Sequence, residues 1–251
     1  MLVFIIALQS RQVSRDWERV SALCRRTVGS ILGQTSDAFH AIVVCHERPE
    51  GLPEHPRLTV VRAEELPIPA TKEDRMVDKW DKVKRGAIEA RRWNPTHVMV
   101  CDADDCVSRE LAAWVQAHPE PWGWSFTTGY VYREGGGWLF HHGPGFDRYC
   151  GTSYLLRCSL EELPERMDQP RDGFPVVEYG HSDVAMQMAK RGRPFQVLPF
   201  VGAVYVVETN ENDSGVHMGY WGWRKHFWRR LSRTRLLTRP LRAEFGLYPL
   251  S

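Results

Sequence analysis

The chain has 251 residues and a formal net charge of +2, with 43% hydrophobic and 25% charged residues. A chain of this length can bury a substantial core, as one large domain or as one domain with an extension. The charge is too small to indicate a nucleic-acid partner, and we expect none. Its six cysteines show no CxxC spacing, which predicts reduced thiols and a cytoplasmic protein. No stretch approaches the ~20 apolar residues that a membrane span requires.

The first part of the chain alternates strand-like and helix-like patterns. Residues 2–8 form a continuous apolar run, typical of a parallel strand covered on both faces and too short for a signal peptide. Apolar residues recur at helical spacing over 17–32, and 39–45 predicts a second buried strand. This β-α-β beginning favours a parallel sheet. Further elements are expected at 58–61 (strand), 77–93 (basic helix) and 97–101 (strand).

The second part of the chain predicts shorter elements and ends in a basic, aromatic tail. Helices are expected at 108–116, 159–167 and 183–191, and strands at 124–132, 138–141, 151–157, 195–198 and 201–207. Residues 219–242 include no acid, and aromatic and basic side chains alternate within them. Such a tail suits contact with an anionic membrane surface or a lipid-linked molecule. The alternative is a terminal helix that packs its aromatic residues on the domain while its arginines stay solvated.

The apolar run 97–101 leads directly into Asp102-Ala103-Asp104-Asp105. Carboxylates are rarely buried unpaired, so we expect a core strand whose C-terminal end delivers acids to a cleft. Ligands of open α/β sheets bind at this end of the strands. Carboxylate oxygens suit a hard divalent cation, which in turn suits phosphate oxygens. An acidic helix start is the simpler interpretation of an isolated D-x-D.

Three segments, taken in their order and spacing, resemble glycosyltransferases of the GT-A fold, close to the family 2 group. Residues 30–35 (SILGQT) with 42–44 (IVV) resemble the opening segment of that family. Arg85-Gly86 followed by residues 102–105 (DADD) resembles its "N-R-G … L-D-A-D-D" segment. Residues 182–192, beginning Ser182-Asp183, resemble its "E-D … R-L … G" segment with Ser in place of Glu. The chain therefore resembles a divergent member.

The resemblance implies an α/β fold of the GT-A, Rossmann-like type: a mixed, mainly parallel sheet flanked by helices. It implies a glycosyltransferase domain over 1–217, with a nucleotide-binding half at 1–105 and an acceptor and catalytic half at 106–217. Residues 218–251 would form a basic, helical C-terminal extension.

By the same resemblance, the protein would be a metal-dependent hexosyltransferase. It would move a sugar from a nucleotide-diphosphate sugar, with UDP-sugar as the default, to a hydroxyl of a carbohydrate or lipid-linked acceptor. Asp104 would ligate Mn²⁺ or Mg²⁺, and Asp102 would contact the ribose or a metal-bound water. His217, which follows a polar loop, is the candidate third ligand, and a surface loop histidine is the alternative.

Asp183 matches the position of the family's catalytic base, which an inverting transfer needs within reach of the acceptor hydroxyl. The alternative is an ordinary acid at a helix N-terminus, and Glu178 and His181 are the substitute bases. The residues expected to contact the donor are Gln9, Ser10, Arg11, Glu47, Lys82, Arg85, Asp102 and Gly151. Lys79, Lys82 and Arg85 share one helix face, which could equally be a solvated basic face.

Two other functions remain open on the sequence. A nucleotidyltransferase would share the sheet, the acids and the cation, but would normally carry a Gly-rich loop after the first strand. Residues 9–12 (QSRQ) contain no glycine. A non-catalytic carbohydrate- or nucleotide-binding GT-A-like domain is the other alternative, and the intact Asp102, Asp104 and Asp183 count against it. The tail, 219–243, would give peripheral contact with the inner membrane face.

Overall fold

The structure is a computed structural model that describes residues 1–211 and 232–250. His217 and the part of the predicted tail up to residue 231 lie outside the described residues. The strands are β1 Leu2–Ala7, β2 Phe39–Cys45, β3 Leu58–Arg62, β4 His97–Asp102, β5 Cys106–Val107, β6 Gly123–Ser125, β7 Gly129–Arg133, β8 Trp138–His142, β9 Tyr154–Arg157, β10 Gln196–Val197, β11 Ala203–Val207 and β12 Thr234–Leu236. The α-helices are α1 Trp17–Leu32, α2 Lys72–Ala90, α3 Leu111–Ala117, α4 Pro175–Glu178, α5 Val184–Lys190 and α6 Arg239–Phe245.

The main sheet has seven strands in the order β10-β6-β9-β4-β1-β2-β3. Strands β4, β1, β2 and β3 are parallel to one another, and β9 is antiparallel to its neighbours β4 and β6. The predicted class, a mixed and mainly parallel α/β sheet of the GT-A type with flanking helices, is confirmed. Because β1 and β4 are adjacent and parallel, their carboxyl ends meet at one edge, with Ala7 beside Asp102.

Both faces of the main sheet are covered, as the apolar run of β1 predicted. Because successive side chains point to opposite faces, Leu2, Phe4 and Ile6 pack in the layer that contains α1, whereas Val3 and Ile5 pack in the layer that contains α2. Asp16 caps α1 by accepting from the Arg19 N–H at 3.0 Å. All six cysteines are buried and free.

A second sheet has five strands in the order β12-β8-β7-β11-β5. The described part of the predicted C-terminal extension, 232–250, contributes β12, which pairs antiparallel with β8, and the short helix α6. Phe245 and Leu247 are buried in a separate core cluster of this sheet. The predicted boundary at residue 217 stays a prediction. None of the helices in 1–211 and 232–250 is long and apolar enough to cross a membrane.

Three predicted elements differ from the structure. Helix α2 begins at Lys72 rather than residue 77, because Thr71 and Asp74 form a reciprocal capping box. The helix predicted at 159–167 was wrong: only Leu160–Glu162 form a 3₁₀ turn, and Pro164, which has no N–H, lies where the helix would continue. The strand predicted at 124–132 is two strands, β6 and β7, that belong to different sheets.

Candidate functional site

A cavity of about 380 Å³ lies at the carboxyl ends of β1 and β4. This is the edge at which ligands bind in open α/β sheets. Its polar lining includes Asp102, Asp104 and Lys79, and its apolar lining includes Val13, Val20 and Leu23. The candidate residues from the sequence that line it are Gln9, Lys79, Lys82, Asp102, Asp104, Gly151 and His181.

Asp102, at the end of β4, is held from two sides. Its Oδ1 accepts from the Lys79 ammonium at 2.5 Å, and its backbone N–H donates to Thr152 Oγ1 at 2.9 Å. Burial by itself would raise the pKa of Asp102, but the Lys79 charge and hydrogen bond outweigh it and lower the pKa. The carboxylate is therefore ionised and fixed in orientation at the cavity wall.

Gly151 packs directly against the Asp102 carboxylate. A Cβ at position 151 would lie 2.4 Å from Asp102 Oδ2 and 3.0 Å from its Cγ. This position therefore requires glycine for a steric reason, because any side chain would displace the acid. The sequence predicted that Gly151 contacts the donor substrate. The structure adds that Gly151 packs against the Asp102 carboxylate.

Asp104 and Asp105 are neighbours with different surroundings. Asp104 is half-buried and lines the cavity, and burial together with the nearby Asp102 charge raises its pKa to about 7. Asp105 is fully buried, where its carboxylate accepts from the Val206 N–H at 3.0 Å and from Cys150 Sγ at 3.3 Å. Burial, then the charges of Asp104 and Asp102, raise the pKa of Asp105 well above its ordinary value. Asp105 thus joins the end of β4 to the second sheet.

The opening loop after β1 is tied to the end of β2. The buried Ser10 donates its hydroxyl to the Glu47 carboxylate at 3.2 Å, and the Arg11 N–H donates to the same carboxylate at 3.0 Å. The cavity lining does not include Ser10, Arg11 or Glu47, whereas Gln9 is part of it. These three residues therefore set the shape of the loop, and their predicted contacts with a nucleotide stay predictions.

The three basic residues of α2 have separate surroundings. Lys82 is fully buried, and its ammonium donates to the Leu8 carbonyl at 2.8 Å and to Asp78 at 2.7 Å, which anchors the opening loop. Arg85 lies 3.4 Å from the Glu65 carboxylate and is not part of the cavity lining. Lys79 is the member of this group that reaches the acids at the end of β4.

The residues before α5 lie near the cavity and come from the second half of the chain. His181 lines the cavity together with Asp102 and Asp104. Asp183 is exposed, precedes α5 as its N-cap residue without a side-chain capping bond, and does not line the cavity. The assignment of Asp183 as base stays a prediction, and its substitute His181 lies closer to the acids.

Several lining residues did not stand out in the sequence, among them Arg75, Met76, Tyr149, Tyr205 and Glu211. The Thr71-x-x-Asp74 capping box was a readable signal that α2 starts early enough to bring Arg75 to the site. Glu211 belongs to the polar stretch of sequence that precedes His217. Its carboxylate accepts from Gln9 Nε2 at 2.9 Å and from the Asp16 N–H at 2.8 Å, so Glu211 contacts the segment between β1 and α1.

No family model and no curated protein matches the chain. Among solved structures, it is similar to TarS from S. aureus, with 12% identity, a TM-score of 0.39, and coverage of 82% of this chain and 36% of TarS. It is also similar to mannose-1-phosphate geranyltransferase from Thermus thermophilus, with 13% identity, a TM-score of 0.33, and coverage of 82% of this chain and 73% of that one. A third similarity is to a proposed nucleotide-diphospho-sugar transferase from Desulfovibrio desulfuricans, with 13% identity, a TM-score of 0.33, and coverage of 92% of both chains.

The chain thus spans 36% of the length of TarS. At TM-scores of 0.33 to 0.39, the three similarities carry no argument about activity, substrate or partner.

Proposed function

We propose that the chain is a glycosyltransferase that moves a sugar from a nucleotide-diphosphate sugar, UDP-sugar by default, to a hydroxyl of a carbohydrate or lipid-linked acceptor. One observation carries the proposal: Asp102, Asp104 and the Lys79 ammonium meet in a cavity at the carboxyl ends of parallel strands. The same cavity is also lined by apolar side chains. A nucleoside diphosphate has the same two-part character, with a flat base and an anionic diphosphate.

Two carboxylates, Asp102 and Asp104, support a divalent cation that would take its remaining ligands from the diphosphate and from water, since residues 1–211 and 232–250 contain no group of three or more His, Cys, Asp or Glu side chains placed to hold a metal. Asp102 and Asp104 offer hard carboxylate oxygens to the cavity. Burial and then the adjacent Asp102 charge raise the pKa of Asp104. A bound cation would stabilise the ionised form of Asp104 against both effects. Asp104 and Asp102 would hold Mn²⁺ or Mg²⁺, and His217 is proposed as a further ligand. A bound cation would neutralise charge that develops on the departing diphosphate.

An inverting transfer also requires a base near the acceptor. We place this role at the start of α5, where Asp183 is the proposed base and His181 the substitute. Conversion of Asp183 to Asn should leave donor binding intact and remove transfer. If D183N turns over normally while His181→Gln does not, the base is His181.

The central experiment measures the binding of UDP in the presence and absence of Mn²⁺ by calorimetry. Asp104→Ala should abolish the Mn²⁺-dependent part of UDP affinity and leave the thermal unfolding temperature nearly unchanged. Asp37→Ala is the matched control, because this carboxylate is 88% exposed and lies before β2, at the opposite edge of the sheet. Unchanged UDP affinity of D104A in Mn²⁺ would remove Asp104 from the site.

A panel of nucleotide sugars then separates the alternatives. Slow hydrolysis of a nucleotide sugar in Mn²⁺ supports a glycosyltransferase, because water replaces the acceptor. Formation of a nucleotide sugar from a nucleoside triphosphate and a sugar phosphate would instead show a nucleotidyltransferase. Binding without either reaction would indicate a non-catalytic domain.

The location is proposed to be cytoplasmic, with peripheral contact at the inner membrane face through residues 219–243. Sedimentation with vesicles that contain anionic lipid tests this contact. A variant in which Arg233 and Arg235 are both replaced by Gln should sediment less if the tail carries the contact, since each basic residue near an anionic surface adds to the attraction.

A further inference from the structure

Lys79 is a cation placed inside the acidic end of the cavity. Its Nζ lies 2.5 Å from Asp102 Oδ1, and Asp104 lines the same cavity. The side chain is 34% exposed and lines the cavity. A ligand that enters the cavity therefore meets this ammonium directly.

Lys82, one helical turn further along α2, has an ammonium group that is held in place, and it serves as a comparison for Lys79. Its side chain is fully buried and donates both to the Leu8 carbonyl and to Asp78. Lys79 differs from Lys82 in burial and in hydrogen bonding. It is partly exposed, and within residues 1–211 and 232–250 its ammonium donates to Asp102. A long, flexible side chain with one polar contact can exchange that contact for another at little cost.

The signs of the charges indicate which bound ligands would make Lys79 leave Asp102 for another partner. A divalent cation held by Asp102 and Asp104 would repel the ammonium that already occupies Asp102 Oδ1. A diphosphate would attract the same ammonium, because phosphate oxygens are strong acceptors for lysine. The cation and Lys79 therefore compete for Asp102, whereas the cation and the diphosphate together leave Lys79 with a better partner than before.

We propose that Lys79 holds Asp102 in the ligand-free protein and transfers its hydrogen bond to a phosphate oxygen of the donor when cation and diphosphate bind. This proposal rests on the function proposed above and adds a residue to it. Lys79 then acts as a second positive charge on the leaving diphosphate, and it keeps the acidic end neutralised between turnovers.

Lys79→Met tests the exchange, because two affinities should move in opposite directions. Calorimetry with Mn²⁺ alone should show tighter binding by about tenfold, since the competing charge is gone. Calorimetry with inorganic pyrophosphate, and separately with UDP, at saturating Mn²⁺ should show weaker binding by about tenfold or more. Lys79→Arg should restore most of the pyrophosphate affinity, and Lys190→Met, a substitution of an exposed lysine at the end of α5, should leave all three affinities unchanged.

Several results would overturn the proposal. If K79M weakens Mn²⁺ binding as well, Lys79 merely supports Asp102. If pyrophosphate affinity is unchanged, Lys79 does not reach the diphosphate. If the wild-type protein binds neither Mn²⁺ nor pyrophosphate, the exchange is refuted together with the proposed function. Pyrophosphate separates the two ideas, because opposite shifts in K79M without any UDP binding or sugar transfer would support the exchange and refute the glycosyltransferase.

Discussion

Replacement of Gly151 by Ala is the most direct perturbation of the acidic end, because it changes a single atom beside Asp102. The new Cβ would lie 2.4 Å from Asp102 Oδ2, whereas ordinary contacts begin at 3.4 Å, so the two must separate by about 1 Å. Asp102 cannot retreat without loss, since its Oδ1 is bonded to Lys79 and its N–H to Thr152. The strain therefore falls on the orientation of the carboxylate.

We expect the overpacked site to lower the free energy of unfolding by about 1–3 kcal/mol. The larger effect should be functional, because a displacement of about 1 Å at a positioned group can lower a rate by about 100-fold. Urea unfolding measures the first quantity. Mn²⁺-dependent UDP affinity and the rate of donor hydrolysis measure the second.

Gly29→Ala is the control for these measurements. Gly29 is exposed in α1, and a Cβ there would meet nothing within 4 Å. This substitution should raise the free energy of unfolding by about 0.5–1 kcal/mol and leave activity unchanged. If G151A binds UDP in Mn²⁺ and hydrolyses the donor at wild-type rates, the placement of Asp102 in the active site is refuted.

Two further predictions concern buried groups away from the cavity. Arg26→Met should lower the free energy of unfolding in urea by about 3 kcal/mol, the low end of the cost of breaking a buried pair, because Arg26 is fully buried 2.7 Å from the Glu134 carboxylate and its loss leaves Glu134 only the longer contact with Arg19 at 3.8 Å among the described ion pairs. A loss under about 1 kcal/mol would contradict this. Burial lowers the pKa of His97 from its ordinary value of 6.5 to about 4. The unfolded chain therefore binds this proton first, and stability that is complete above pH 6.5 should fall by up to ~3 kcal/mol as the pH drops toward 4. His97→Gln should remove that part of the acid dependence, and an identical pH profile for the two proteins would refute the assignment.

The elements with strong local signals were predictable from the sequence. The apolar runs of β1, β2 and β4 predicted buried strands, and the α/β order followed from the helical spacing between them. The start of α2 was also legible, in the Thr71 and Asp74 capping box, although the prediction placed it later. The break between β6 and β7 could not be predicted from the sequence. The strand-like alternation continues across it, although β6 and β7 belong to different sheets.

The location of the candidate site was predictable, but the division of roles within it was not. Sequence spacing placed Lys79, Lys82 and Arg85 on one helix face, yet it could not show that Lys82 is buried under Leu8 whereas Lys79 reaches Asp102. Which lysine reaches the acids depends on the opening loop, and that loop is fixed by contacts with the end of β2. Local patterns do not contain such contacts.

The roles of the adjacent carboxylates Asp104 and Asp105 also depend on contacts that local sequence patterns do not contain. These two residues are identical in chemistry and neighbours in sequence, so no spacing rule separates them. Asp105 is turned inward by an N–H donor at Val206 and a thiol at Cys150, which lie 101 and 45 residues away along the chain. Because these partners use the Asp105 oxygens, the negative charge that faces the cavity is that of Asp102 and Asp104, and the first of these is already balanced by Lys79. The capacity to attract a cation therefore concentrates at Asp104, whose pKa is raised to about 7 by burial and then by the nearby Asp102 charge.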